Sequence, residues 1–213
     1  MKINKKMLFI TSVIILLPAL VGLSLYNRLP AQMPIHWNFA GEVDGYCSRL
    51  FAVLGMPAFL LAIHLFCMLM ITLDKKNQDQ NKVLASLPYY ISPVISWVAL
   101  GYVYMSALGV AGIGVEQILL PLLGVMFLVL GNYMPKCTHN HTIGIRIPTT
   151  LSSEANWDAT HRFAGKIWFA AGVLVLVCLF IPAPAKMWIA VTGMMAAAFV
   201  PIVYSIVYAV KNK

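Results

Sequence analysis

Four side chains that could hold a metal lie in one polar stretch: Cys137, His139 and His141, with His161 further along. Cys-x-His-x-His is not a common zinc spacing, and a metal site also needs outer partners that orient its ligands. Solvated loop side chains are therefore the default reading, and no metal or other cofactor is expected. His64 stands in the middle of an apolar run. An ionisable group at membrane depth is a functional candidate by default. A proton path, however, needs several such groups in series, and no Asp, Glu, Lys or Arg lies well inside any apolar run. A neutral histidine hydrogen-bonded to a neighbouring helix fits better. Ser96 and Ser106 offer hydroxyls, but His64 is the only base at similar depth and no glycine-flanked serine motif surrounds them. Paired carboxylates and a phosphate-binding glycine loop are also missing. No catalytic residue is assigned, and the chain is not expected to be an enzyme.

The elements that must position these residues follow from composition. Of 213 residues 61% are hydrophobic and only 10% charged, too few charges to cover a water-soluble surface, where about 25% is usual. The apolar residues fall into six runs, 7–26, 51–73, 87–108, 117–135, 163–182 and 187–209, each about the length a helix needs to cross the hydrocarbon. They are too long and too uniformly apolar for barrel strands with alternating faces. The predicted fold is all-α, a polytopic membrane helix bundle of six transmembrane helices forming a single integral membrane domain over 1–213. Three lysines before the first run suggest a secretory signal, but the run continues to Tyr26 and no A-x-A site follows, so it reads as an uncleaved first span.

The net charge of +8 does not point to nucleic acid, because the cations sit in short clusters between apolar runs with no basic stripe. They give direction instead. The N-terminus, loop 74–86, segment 136–166 and the C-terminal tail hold 12 of the 15 basic residues, and the alternate connections hold Arg28, Arg49 and Lys186. By the positive-inside rule both termini are cytoplasmic and loop 27–50 lies outside. Cys67 and Cys178 fall inside spans, and Cys47 and Cys137 on opposite sides, so no disulfide is expected. Pro57, Pro93, Pro121 and Pro201 lie within spans and should kink them, whereas Pro88 suits a first turn. Pro182 and Pro184 mark a turn. Gly193 with Ala197, and Gly101, are small residues suited to close helix packing.

Two polar segments remain. In loop 27–50, Pro30 and Pro34 favour extended backbone, and Gly41 and Asp44-Gly45 are turn signals. Trp37, Phe39 and Tyr46 suit the headgroup level. In segment 131–168, Ser152 or Ser153 can cap a helix that Glu154 suits. That helix would place Trp157, His161, Ala164 and Trp168 on one stripe and let Asp158 pair with Arg162. The expectation is a short juxtamembrane helix lying on the cytoplasmic face and then turning into span five. Each segment can also be read blandly, as an interfacial loop and a membrane-hugging linker.

Segment 131–168 resembles the signature of the SdpI bacterial immunity family. The resemblance is carried by Gly131-Asn132-Tyr133-Met134-Pro135, Asn140, Ile143-Gly144-Ile145-Arg146, Pro148, Thr150-Leu151-Ser152, Trp157 and Thr160-His161-Arg162 followed by Ala164-Gly165. Loop 27–50 resembles a second module, of unassigned function, often fused ahead of that signature. Its marks are Pro34-Ile35-His36-Trp37-Asn38, Gly41 and Asp44-Gly45. His139, His141 and Thr149 depart from the pattern. The resemblance implies a two-span N-terminal module over 7–73 and an SdpI-like module over 117–209. It further implies a multi-pass plasma-membrane protein that protects its producer from a secreted peptide toxin, and in one known role holds a cytoplasmic autorepressor at the membrane. Membrane lipids are the other expected partner, through Arg146, Arg162 and Lys166. A small transporter or export component would need a polar mid-membrane cavity. An envelope-stress membrane protein without a ligand is the third class.

Overall fold

The structure, a computed structural model, describes residues 3–182 and 185–212, the side chains of 78 and 79 excepted. Pro184, Lys2 and Lys213 therefore lie outside the described residues. Among the described residues six helices are long and apolar enough to cross a membrane: α1 (Lys5–Ser24), α2 (Phe51–Leu73), α3 (Lys82–Ala107), α4 (Glu116–Tyr133, extended by a 3-10 turn to Lys136), α6 (Glu154–Val177, extended to Phe180) and α7 (Ala185–Lys211). The four-residue α5 (Pro148–Leu151) stands between the fourth and fifth of these. Between 22% and 33% of each span is buried within the protein, and the outward faces carry Phe9, Leu20, Phe66, Leu69, Phe199 and Val203. Such faces require lipid around them.

The chain forms two compact units, one of residues 2–72 with 86–115, the other of 73–85 with 116–213. In the first, α1 is capped by the Asn4 side chain, which accepts from the Met7 N–H at 3.0 Å. Its core joins Leu29 and Met33 to Ala52, Val53, Leu100 and Tyr104. His64 is fully buried, and its Nε2 lies 3.1 Å from Thr11 Oγ1. The Thr11 hydroxyl directs its proton at the Met7 and Leu8 carbonyls, so His64 donates, as expected of a neutral histidine bonded to a neighbouring helix. Ser96 donates to the Ile15 carbonyl instead, at 2.8 Å.

The segment 27–50 adds a β element to the predicted all-α bundle, an antiparallel hairpin of β1 (Gln32–Trp37) and β2 (Val43–Ser48). The expected turn at Asp44-Gly45 is not the turn. Asn38 makes it instead, its Oδ1 accepting from Ala40 and Glu42 N–H groups at 2.9 and 3.0 Å, with Gly41 at φ 81°. Gly45 lies in β2 opposite His36, where an added Cβ would come within 2.8 Å of the His36 Cβ.

In the second unit α4 and α6 run antiparallel at very close approach, through two glycine pairs. A Cβ on Gly131 would come within 2.5 Å of the Phe169 nitrogen and 2.9 Å of the Gly165 carbonyl; one on Gly172 would come within 2.8 Å of the Gly124 carbonyl. Gly193 and Ala197 do face α6, against Leu174 and under the Trp168 indole N–H, which donates to the Ala197 carbonyl at 2.9 Å. Gly101 does not serve close packing: nothing lies within 4 Å of an added Cβ there.

Helix α6 also corrects the expected juxtamembrane helix that turns into span five. It is one continuous helix from Glu154, capped by Ser153, whose hydroxyl accepts from the Asn156 N–H at 3.2 Å. Its exposed stripe runs Asp158, Arg162, Lys166 and then Phe169, Val173, Val177. The change from charge to hydrocarbon at Lys166–Phe169 marks the membrane boundary, so about three turns of α6 stand clear of the hydrocarbon. A helix covered by protein there has no reason to lie down on the headgroups. The Asp158–Arg162 pair is not made: among the described residues the ion pairs are His36–Asp44 and Lys186–Glu116.

Candidate functional site

The protruding end of α6 is wrapped by residues 137–151. Trp157 is fully buried and its indole N–H donates to the Cys137 carbonyl at 2.8 Å. His161, one turn on, stacks on Trp157 with ring centroids 4.0 Å apart. Its Nε2 accepts from the Ile145 N–H at 3.0 Å, so Nδ1 carries the proton and donates to the Trp157 carbonyl at 2.8 Å. Both ring nitrogens are thereby satisfied in one neutral tautomer. Gly144 makes the close pass over this ring possible. It sits at φ 109°, and a Cβ would collide with His161 Nε2.

Asn140, fully buried, folds the wrapping segment on itself. Its Oδ1 accepts from the N–H groups of Thr142 and Ile143 at 2.8 and 2.6 Å, and its Nδ2 donates to the carbonyls of Thr138 and Ile143 at 2.7 and 2.9 Å. Thr150 is buried too, accepting from the Ile147 N–H at 3.1 Å and donating to the Ile145 carbonyl at 2.8 Å. Thr160 donates to Asn156 Oδ1 at 2.8 Å, and Asn156 in turn meets the Ser205 hydroxyl at 2.9 Å and its carbonyl at 3.0 Å. Burial pushes the Cys137 thiol up to about 11, against the opposing hydrogen bonds from the Gln80 and Asn140 amides. The thiol therefore stays protonated and unreactive at neutral pH.

The structure thus sorts the residues singled out in this segment. Asn140, Thr150, Trp157, Thr160 and His161 build its interior, and Gly144, itself exposed, passes over the His161 ring. Asn132, Arg146 and Arg162 face outward, Arg146 donating to the His141 carbonyl at 3.0 Å. Cys137, His139, His141 and His161 are not gathered into one ligand set: among the described residues no three His, Cys, Asp or Glu side chains are grouped to hold a metal ion. His139 instead lies edge-on to Trp157 at 5.0 Å.

The hairpin holds the other group. His36 Nδ1 meets Asp44 Oδ1 at 2.5 Å on its exposed face, Trp37 packs edge-on to Tyr102 at 5.0 Å, and Arg49 reaches back to the Tyr26 carbonyl at 2.9 Å.

Sequence reasoning missed three residues before α3. Asp74, Asn77 and Gln80 are all buried. Asp74 Oδ2 accepts from the His141 N–H at 2.7 Å and the Thr142 hydroxyl at 3.2 Å, while Oδ1 accepts from the Lys76 N–H at 3.0 Å. Burial alone would raise the Asp74 carboxyl; these donors outweigh it and hold the group below its ordinary value. The i, i+3, i+6 spacing was the available signal. The same contacts bring residues 74–80 against segment 137–143.

Six membrane-crossing helices, a small hairpin and a polar segment folded over a buried Trp–His pair define a multi-pass membrane protein of the type that carries its specific residues outside the hydrocarbon. Comparison narrows the class. Residues 136–205 match the SdpI/YfhL protein family, and residues 13–61 match a domain of unknown function (DUF1648). The chain is 30% identical over 177 residues to Immunity protein SdpI of Bacillus subtilis (strain 168), covering 80% of each chain. It belongs to the SdpI/YfhL family and is a multi-pass bacterial membrane protein. No solved structure matches it.

Proposed function

We propose that this protein is a membrane immunity protein that protects the bacterium making it from a secreted peptide toxin. The likeness over 80% of the chain to a relative named as an immunity protein carries this reading. Three membrane-crossing helices separate the hairpin from segment 137–151 along the chain, which favours opposite faces for the two. The distribution of the cations favours the cytoplasm for the segment and for both termini. In this reading the hairpin, with His36 and Asp44 exposed, meets the toxin, and the segment reports the event inside. Arg146 and Arg162, exposed and without a carboxylate partner among the described residues, would dock an acidic surface, either a cytoplasmic autorepressor or anionic lipid. Expression in a toxin-sensitive bacterium tests the reading. Survival under the secreted peptide should rise; unchanged survival at normal membrane levels would refute it.

A further inference from the structure

The loop between α2 and α3 lies outside both regions that match known families, which end at 61 and begin at 136. It packs in the unit that contains segment 136–166, whereas the helices it joins pack in the other. Its residues Lys75–Asp79 form a 3-10 turn. A 3-10 helix has three residues per turn, so Asp74, Asn77 and Gln80 share one face. That face is buried, while Lys75 and Lys76 are exposed.

All three residues on the buried face bond segment 137–143. Asp74 takes the His141 N–H and Thr142 hydroxyl. Asn77 Nδ2 donates to the Thr142 hydroxyl. Gln80 Oε1 accepts from the Thr138 N–H at 3.2 Å, and its Nε2 lies 3.6 Å from Cys137 Sγ. The backbone donors of 138 and 141 thus find their acceptors some sixty residues earlier in the chain. Both bonds are partly buried, and a buried N–H left without an acceptor costs about 1–3 kcal/mol, so the loop supplies stability that segment 137–143 lacks by itself.

We propose that Asp74, Asn77 and Gln80 are positioning residues of the candidate site: the α2–α3 loop completes the signature segment and sets its shape. The claim rests on the reading of segment 137–162 as the functional site, and it extends that site to residues outside the two matched family regions. Because the loop is continuous with α2 and α3, a displacement of either helix pulls directly on the acceptors of His141 and Thr138.

The test uses the full chain in native membranes and reads the rate at which N-ethylmaleimide modifies Cys137. Asp74→Ala and Gln80→Ala should each speed modification by roughly tenfold, as expected when a buried donor loses its acceptor. Lys75→Ala and Lys76→Ala, on the exposed face of the same turn, should leave the rate unchanged. Asp74→Ala combined with Thr142→Val should be non-additive, because both remove the same bond; a general loss of folding would make Thr142→Val matter as much in either background. Equal Cys137 rates in wild type, Asp74→Ala and Gln80→Ala, or strict additivity of the pair, would overturn the proposal. In toxin challenge, Asp74→Ala should abolish protection at normal membrane levels. Should wild type itself not protect, the immunity reading falls, and the alkylation rates still decide the positioning claim.

Discussion

The hairpin and the wrapped segment are both short polar stretches between spans, yet they are held in different ways. The polar bonds of the hairpin are with near neighbours, Asn38 with Ala40 and Glu42, His36 with Asp44, and Arg49 with Tyr26, while its apolar side chains Met33 and Trp37 pack on the helix core. The segment relies on Asp74, 67 residues before His141, and on α6 for Trp157 and His161. A turn bonded locally, with His36 and Asp44 exposed, can be altered by a partner while Met33 and Trp37 keep their places in the core. A segment held at several distant points changes shape only when one of those points gives way, as a reporter of the bundle's state must.

The largest expected effect sharpens that contrast. Trp157→Ala removes a fully buried indole and leaves the Cys137 carbonyl without its donor, which should destabilise the protein by about 3–5 kcal/mol in thermal unfolding in detergent. His161→Ala should leave the protein inserted but impair protection, because the Ile145 N–H loses its acceptor. Gly144→Ala strains a positive φ and strikes the same ring, for an expected loss of about 1–3 kcal/mol; normal stability would mean that the loop can move off His161. Asn38→Ala should cost about 1 kcal/mol and leave Cys137 unreactive, since its bonds stay within the hairpin. Faster Cys137 modification in that variant would break the comparison. Arg162→Ala, at an exposed position, should change stability by no more than about 0.5 kcal/mol while impairing protection.

Asp74 gives a pH dependence of known sign. Its carboxyl is held below the ordinary value, so the stability it supplies is present in full above the unfolded value of about 3.9. That stability is lost as pH falls through the lowered folded value. The unfolding-temperature difference between wild type and Asp74→Asn should be constant from neutral to mildly acidic pH and shrink only in strong acid. A difference that vanished near pH 6 would contradict the bonding described.

The spans were legible because twenty-residue apolar runs admit one solution in lipid; the structure returned all six, although the fifth helix begins at Glu154, well before the expected start at 163. The Ser153 cap and the His64 bond to another helix were also readable. Of the two turn signals, Gly41 lies in the hairpin turn and Asp44-Gly45 does not; Asn38 gave no dipeptide signal because it works through its side chain. Gly45 is instead required by the strand opposite. The glycine pairs of α4 and α6 escaped notice because their spacing within each helix is seven residues, not four. Asp74, Asn77 and Gln80 were read as part of a lysine-bearing loop. Their i, i+3, i+6 spacing puts them on one face, but the burial of that face depends on partners in another part of the chain.

We propose that the hairpin and the wrapped segment face opposite sides of one membrane, on the charge count and the three spans between them. Single cysteines introduced as Tyr46→Cys and Arg146→Cys, with the native cysteines replaced by serine, can be probed in intact cells with a membrane-impermeant thiol reagent. Tyr46→Cys should be modified at once and Arg146→Cys only after the membrane is opened. Modification of Arg146→Cys in intact cells would contradict the account.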